Sequence, residues 1–85
     1  MKNVIAQLIG SHVFARRTEL GFSQEEVAHL VGISRQALSA IERGVNPPHW
    51  PTLYGVAGVL HCDVYDLLPT YRQVKKLHEA AQESL

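Results

Sequence analysis

The stretch Gln24 to Arg43, QEEVAHLVGISRQALSAIER, reads as two short helices joined by a tight turn. Ser23, just ahead of it, has the side chain of an N-cap. Glu26, three residues later, completes a capping box, in which each residue satisfies a backbone N–H that has no partner inside the helix. Val27, Ala28 and Val31 recur at the spacing of one helical face. Gly32 stops this helix, because glycine enters the left-handed backbone region without the Cβ clash that other residues meet there. Ser34 follows almost at once as the cap of a second helix. In that helix Leu38 and Ile41 share an inner face, while Arg35, Gln36, Ser39 and Arg43 point elsewhere. Ala28 is small enough to let the two helices approach, and Ile33 plugs the angle between them.

Working outward, Met1 to Leu20 reads as a first helix with an apolar stripe at Val4, Ile5, Leu8, Ile9 and Val13, weakened somewhat by Gly10. Gly21 closes it, and Phe22 is placed to staple against Val27 or its neighbours. Downstream, Gly44 ends the second motif helix and Val45 to Pro51 is a loop rich in helix breakers, with Pro51 suited to the first turn of a fourth helix. Leu53, Val56, Ala57 and Leu60 mark that helix, in which Gly55 and Gly58 are expected to allow close backbone contact. Asp63 caps a short fifth helix, Val64 to Leu68, and Pro69 ends it. In Thr70 to Leu85 the residues Tyr71, Val74, His78, Ala81 and Leu85 fall along one stripe, with Leu77 beside it and Arg72, Lys75, Lys76, Glu79 and Glu83 on the wet side. A helix this short is marginal in isolation. Its stripe is therefore expected to be covered, by Val4 to Ile9 of the same chain or by a second subunit.

Eighty-five residues with 46% apolar content suffice for one small core and leave no room for a separate sensor or catalytic domain. A single cysteine, Cys62, excludes an internal disulfide framework and suits a reducing cytoplasm. Neither a bilayer-length apolar run nor a signal-peptide pattern is present, so a cytoplasmic protein without a membrane partner is expected. His12, His29, His49, His61 and His78 are scattered, and only His61 neighbours Cys62, so no metal or cofactor is expected. No nucleophile, base and orienting acid assemble into a catalytic set, and an enzyme is not expected. The net charge is zero, but Lys2, Arg16, Arg17, Arg35 and Arg43 face only four acidic residues, Glu19, Glu25, Glu26 and Glu42, in the first 62 positions.

The segments LIGSHVFARRTELGFSQEEVA, ISRQALSAIERGVNPP and TLYGVAGVLHCDVYDLL run in order from about Leu8 to Leu68. On them the chain resembles the Cro/repressor-type, XRE-like helix-turn-helix regulators of bacteria and phage. The resemblance implies an all-α fold, a compact five-helix lambda-repressor-like domain over residues 1–69 with an additional C-terminal helix in 70–85. It also implies a motif over 24–43, with a recognition helix over 34–43 in the major groove of double-stranded DNA and the preceding helix across the backbone. Arg35, Gln36, Ser39 and Ala40 would then meet bases, arginine being matched to guanine, glutamine to adenine and the alanine methyl to thymine. Gln24, Arg43, Asn46, His49 and, more weakly, Arg16 would meet phosphates. Trp50 would stack near the sugar-phosphate backbone or cover the core.

By the same resemblance Arg17 would pair with Glu42 and fix the recognition helix on its scaffold. A homodimer on a pseudo-palindromic operator is expected, with Tyr71, Val74, Leu77, His78 and Ala81 as dimer candidates. Such a protein would be a repressor, located with the nucleoid when bound. The alternatives are an antitoxin or controller protein that autoregulates its operon with a protein partner, and a helical interaction module without DNA binding.

Overall fold

The computed structural model describes residues 3–83, which form α1 (Val4–Glu19), α2 (Gln24–Val31), α3 (Arg35–Glu42), α4 (Trp50–Val59), α5 (Val64–Leu67) and α6 (Tyr71–Glu83). The fold is all-α, as expected. Local chemistry accounts for most helix boundaries. The Ser23 hydroxyl accepts from the Glu26 N–H at 3.0 Å and the Glu26 carboxylate accepts from the Ser23 N–H at 3.0 Å. Gly32 has φ +87°, and its N–H and that of Ile33 both donate to the Ala28 carbonyl, turning the chain into α3. Ser34 caps α3 through the Ala37 N–H, and Asp63 and Asp66 form a second capping box at α5.

The first helix begins at Val4, capped by Asn3, whose Oδ1 accepts from the Ala6 N–H at 2.9 Å. Met1 and Lys2 lie outside the described residues. The fifth helix is one residue shorter than expected, because Leu68 is already extended ahead of Pro69.

One core joins α1 to α5. Val13, Val27, Leu38, Val56, Leu60 and Leu67 are fully buried at its centre, with Phe22, Val31 and Ile33 packed around them. The backbones of α1 and α3 approach closely at Gly10 of α1. A Cβ there would collide with the carbonyl oxygen of Ile41 and stand 2.7 Å from that of Glu42. Gly10 is therefore less a weak point of α1 than the gap through which the end of α3 is admitted. Gly44 matches it from the other side, since it has φ +71° and a Cβ on it would lie 2.7 Å from Gln7 Cα.

Two expectations about α4 change. An added Cβ on Gly55 would meet only a Val31 methyl group at 3.3 Å, and one on Gly58 would meet nothing within 4 Å, so Gly58 faces open space. Trp50 does not cover the core. It is 69% exposed, because the inward stripe of α4 starts one turn later at Leu53, and it packs edge-on against exposed Tyr54 with ring centroids 6.1 Å apart.

The last helix lies against α1. His12 of α1 is the hinge of that contact. Its Nδ1 stands 3.0 Å from the Leu67 carbonyl, which can only accept, so this nitrogen carries the proton. Its Nε2 faces the Gln73 amide at 3.5 Å. Thr70 and Gln73 close a further reciprocal cap at the start of α6. Val74 is half-buried, whereas Tyr71 is 81% exposed, Leu77 is 38% exposed and His78 is exposed. The Ala81 side chain and Leu85 lie outside the described residues.

Candidate nucleic-acid interface

Three helices converge on one carboxylate. Glu42, at the last turn of α3, accepts from Arg17 of α1 at both oxygens, Nε to Oε2 at 2.6 Å and Nη2 to Oε1 at 2.9 Å. Gln24, the first residue of α2, donates its side-chain amide to the same Oε1 at 2.9 Å. The remaining guanidinium nitrogen of Arg17 donates to the Phe22 carbonyl at 2.7 Å, and the Arg17 Cζ lies 5.4 Å from the centroid of the Phe14 ring. The side chains of Arg17 and Glu42 are 10% and 4% exposed. The hydrogen bonds to Glu42 push the Arg17 pKa up, against the opposing effect of burial. Because the pair is bidentate and shielded from solvent, it restricts the orientation of α3 more than it adds to net stability.

Outside that anchor the exposed edge of α3 and the start of α2 form a shallow polar concavity of about 170 Å³, lined by Gln24, Arg35, Gln36, Ser39 and Arg43. Arg35 and Gln36 are exposed in the first turn of α3. Ser39 lies one turn on, and its hydroxyl accepts from Arg43 Nε at 3.3 Å. With Glu42 neutralised by Arg17, the two arginines in this concavity face no acid among its lining residues. The structure therefore gathers five of the nine residues singled out for contact into one surface.

The other four fall elsewhere. Ala40, Asn46 and His49 line a second, separate depression beside α3. Arg16 points away from both, with Nε donating to the Leu60 carbonyl at 3.0 Å, Nη2 donating to the His61 carbonyl at 3.2 Å, and Nη1 3.7 Å from Glu19. It caps the C-terminal end of α4.

Among the described residues, no cluster of His, Cys, Asp and Glu could hold a metal ion. No helix among them is long and apolar enough to cross a membrane. Cys62 is half-buried; burial, assisted by Asp66, pushes its thiol pKa up. The sequence presents Gly10 only as a weak point of α1 and gives no role to Gln7, although both seat the end of α3. A lone glycine inside an apolar-faced helix was the available signal for the first.

A three-helix frame that presents the polar edge of a short second motif helix defines a class, the helix-turn-helix domains. The helix-turn-helix family profile matches residues 13–67, and the chain belongs to that family of DNA-binding transcriptional regulators. An HTH-type transcriptional regulator of Sinorhizobium fredii, y4dJ, itself uncharacterised, is 43% identical over 61 residues, covering 68% of this chain and 79% of the relative. The P22 c2 repressor, solved in complex with a synthetic operator, is 34% identical with a TM-score of 0.69, covering 73% of this chain and 94% of that one. The restriction-modification controller protein C.AhdI of Aeromonas hydrophila is 27% identical with a TM-score of 0.71, covering 74% and 96%.

Proposed function

We propose that this chain is a sequence-specific repressor that binds a pseudo-palindromic operator as a homodimer. Arg35, Gln36, Ser39 and Ala40 read base edges in the major groove, and Gln24, Arg43, Asn46 and His49 meet the backbone. Residues 1–69 are the reading unit and 70–85 supply dimer surface through exposed Tyr71 and Leu77, with Val74 and His78 beside them. Arg16, already bound to two carbonyls, is left out of the interface. The observation that carries this reading is the polar concavity of Gln24, Arg35, Gln36, Ser39 and Arg43 on a helix held by a buried ion pair. The operator bound by the P22 c2 repressor supports the choice of duplex DNA. Zero net charge implies weak non-specific binding, so base contacts and dimer formation carry more of the discrimination.

Selection of bound sequences from a random duplex pool tests binding and half-site symmetry together. Fluorescence anisotropy on the selected site should then show affinity falling linearly in the logarithm of salt concentration. Arg35→Ala and Gln36→Ala should each lose about 1–3 kcal/mol of discrimination at one base position, with the helical circular dichroism unchanged. Both variants binding as the parent does would sink the reading. The likeness to C.AhdI supports a second version, a controller protein acting on its own operon.

A further inference from the structure

The ion pair that holds α3 has one neighbour that the core does not account for. Phe14 follows Val13 on α1 and so falls off the inward stripe of Ala6, Ile9, Val13 and Arg17. It is 51% exposed, and it belongs neither to the buried cluster nor to the partly buried side chains packed around that cluster. A phenylalanine so placed buries little apolar surface for the fold. Its ring stands instead beside Arg17, three residues on along the same helix, with the Arg17 Cζ over the ring and 5.4 Å from its centroid. Glu42 and the Phe22 carbonyl take up the three nitrogens at the edge of the guanidinium. The same carboxylate holds the Gln24 amide at 2.9 Å. A line of contacts therefore runs from the exposed ring of Phe14 through Arg17 and Glu42 to the polar concavity.

We infer that Phe14 is a positioning residue for DNA reading: its ring keeps Arg17 seated on Glu42, and so sets the pitch of α3 and the aim of Gln24. The inference rests on the proposed operator binding and deepens it. Hydrogen bonds at the edge of a planar cation fix its position but leave it some freedom to tilt. A ring over its face removes that freedom, because the negative face of the π-system attracts the charge. At a half-exposed site such a contact favours the seated arrangement by about two- to fivefold. Protein whose Arg17 has left that seat still meets phosphates, but its recognition helix is not aimed at base edges, so the contact acts on discrimination rather than on general affinity. An aliphatic side chain of similar size covers the guanidinium without attracting it, and this separates the role of the ring from simple cover.

The test uses the full chain with Phe14→Leu and Phe14→Tyr, on the selected operator and on a duplex of scrambled sequence. Both variants should remain folded by circular dichroism, since the position lies outside the core. By anisotropy, Phe14→Leu should lower the ratio of operator to scrambled affinity by about two- to fivefold. Its affinity for the scrambled duplex and its salt dependence should stay as in the parent, because no phosphate contact is removed. Phe14→Tyr retains the ring and should restore the parent's ratio. In proton NMR the Arg17 Nε–H, bonded to Glu42 at 2.6 Å, should exchange with water faster in Phe14→Leu than in the parent or in Phe14→Tyr. A ratio that is unchanged in Phe14→Leu overturns the inference and leaves the repressor reading intact. A loss that Phe14→Tyr fails to restore, or one shared equally by the scrambled duplex, also overturns it. Failure of the pool to yield any preferred sequence overturns both.

Discussion

Glu42 is where the energetics of this small domain concentrate. Its carboxylate serves Arg17 and Gln24 at once and is 4% exposed. Removing it strands a guanidinium that is almost as buried, so Glu42→Ala should cost about 3–5 kcal/mol in urea unfolding. Replacing both partners, as in Arg17→Met with Glu42→Leu, should recover much of that loss, because the ion pair adds little net stability once its desolvation is counted. The recovered double variant is then informative about function. If the pair acts mainly to orient α3, stability returns but sequence discrimination on operator DNA does not.

At the scale of elements, the caps are where pH acts. The bonds from the Ser23 backbone and side chain hold the Glu26 carboxyl below its ordinary value of 4.5. A depressed acid contributes stability that is fully present above the unfolded pKa and is lost as pH falls through the folded one. Thermal unfolding of the parent should therefore lose stability as pH drops below about 4.5, and Glu26→Gln should flatten that part of the profile. The same caps explain what could be read from the chain in advance. Ser23 with Glu26, Gly32 with Ile33, and Asp63 at the start of α5 each act within a few consecutive residues, so their chemistry is visible without knowing the fold; the return bond of Asp66 at α5 is added by the structure. Gly10 is the opposite case. Its meaning depends on the carbonyls of Ile41 and Glu42, 31 and 32 residues away, and sequence spacing says only that a glycine weakens a helix. The site divides in the same way. That Arg35, Gln36 and Ser39 are exposed follows from helical spacing, whereas their sharing a concavity with Gln24 depends on the angle at which Gly32 sets α3 against α2. The opposite placement of Arg16 depends on where α4 ends.

For the molecule as a whole, the buried apolar residues among those described run from Ala6 to Leu67, ahead of α6. The contacts of α6 with α1 include His12 with Gln73, and Val74 of α6 is half-buried. A chain ending after Pro69 should therefore stay folded and lose about 1–2 kcal/mol by urea unfolding, since Val74 is the half-buried apolar residue among the described side chains of α6. Hydrogen exchange should show the α6 amides opening well before those of α1 and α3. If the repressor acts as proposed, the shortened chain should also fall apart to monomers in sedimentation and bind a single half-site. The short C-terminal stripe could not by itself indicate how firmly it is seated, because Tyr71 and His78 have the spacing of one buried face and yet are both exposed.

The convergence on Glu42 also bears on how such a protein diverges. Arg35, Gln36 and Ala40 take no part in the side-chain bonds that join the three helices, so, on the proposed reading, substitutions there should alter which DNA letters are favoured without disturbing the posture of the helix that carries them. New binding preferences would then lie a few side chains apart, and a duplicated copy would acquire its own targets while its framework stayed under unchanged constraint.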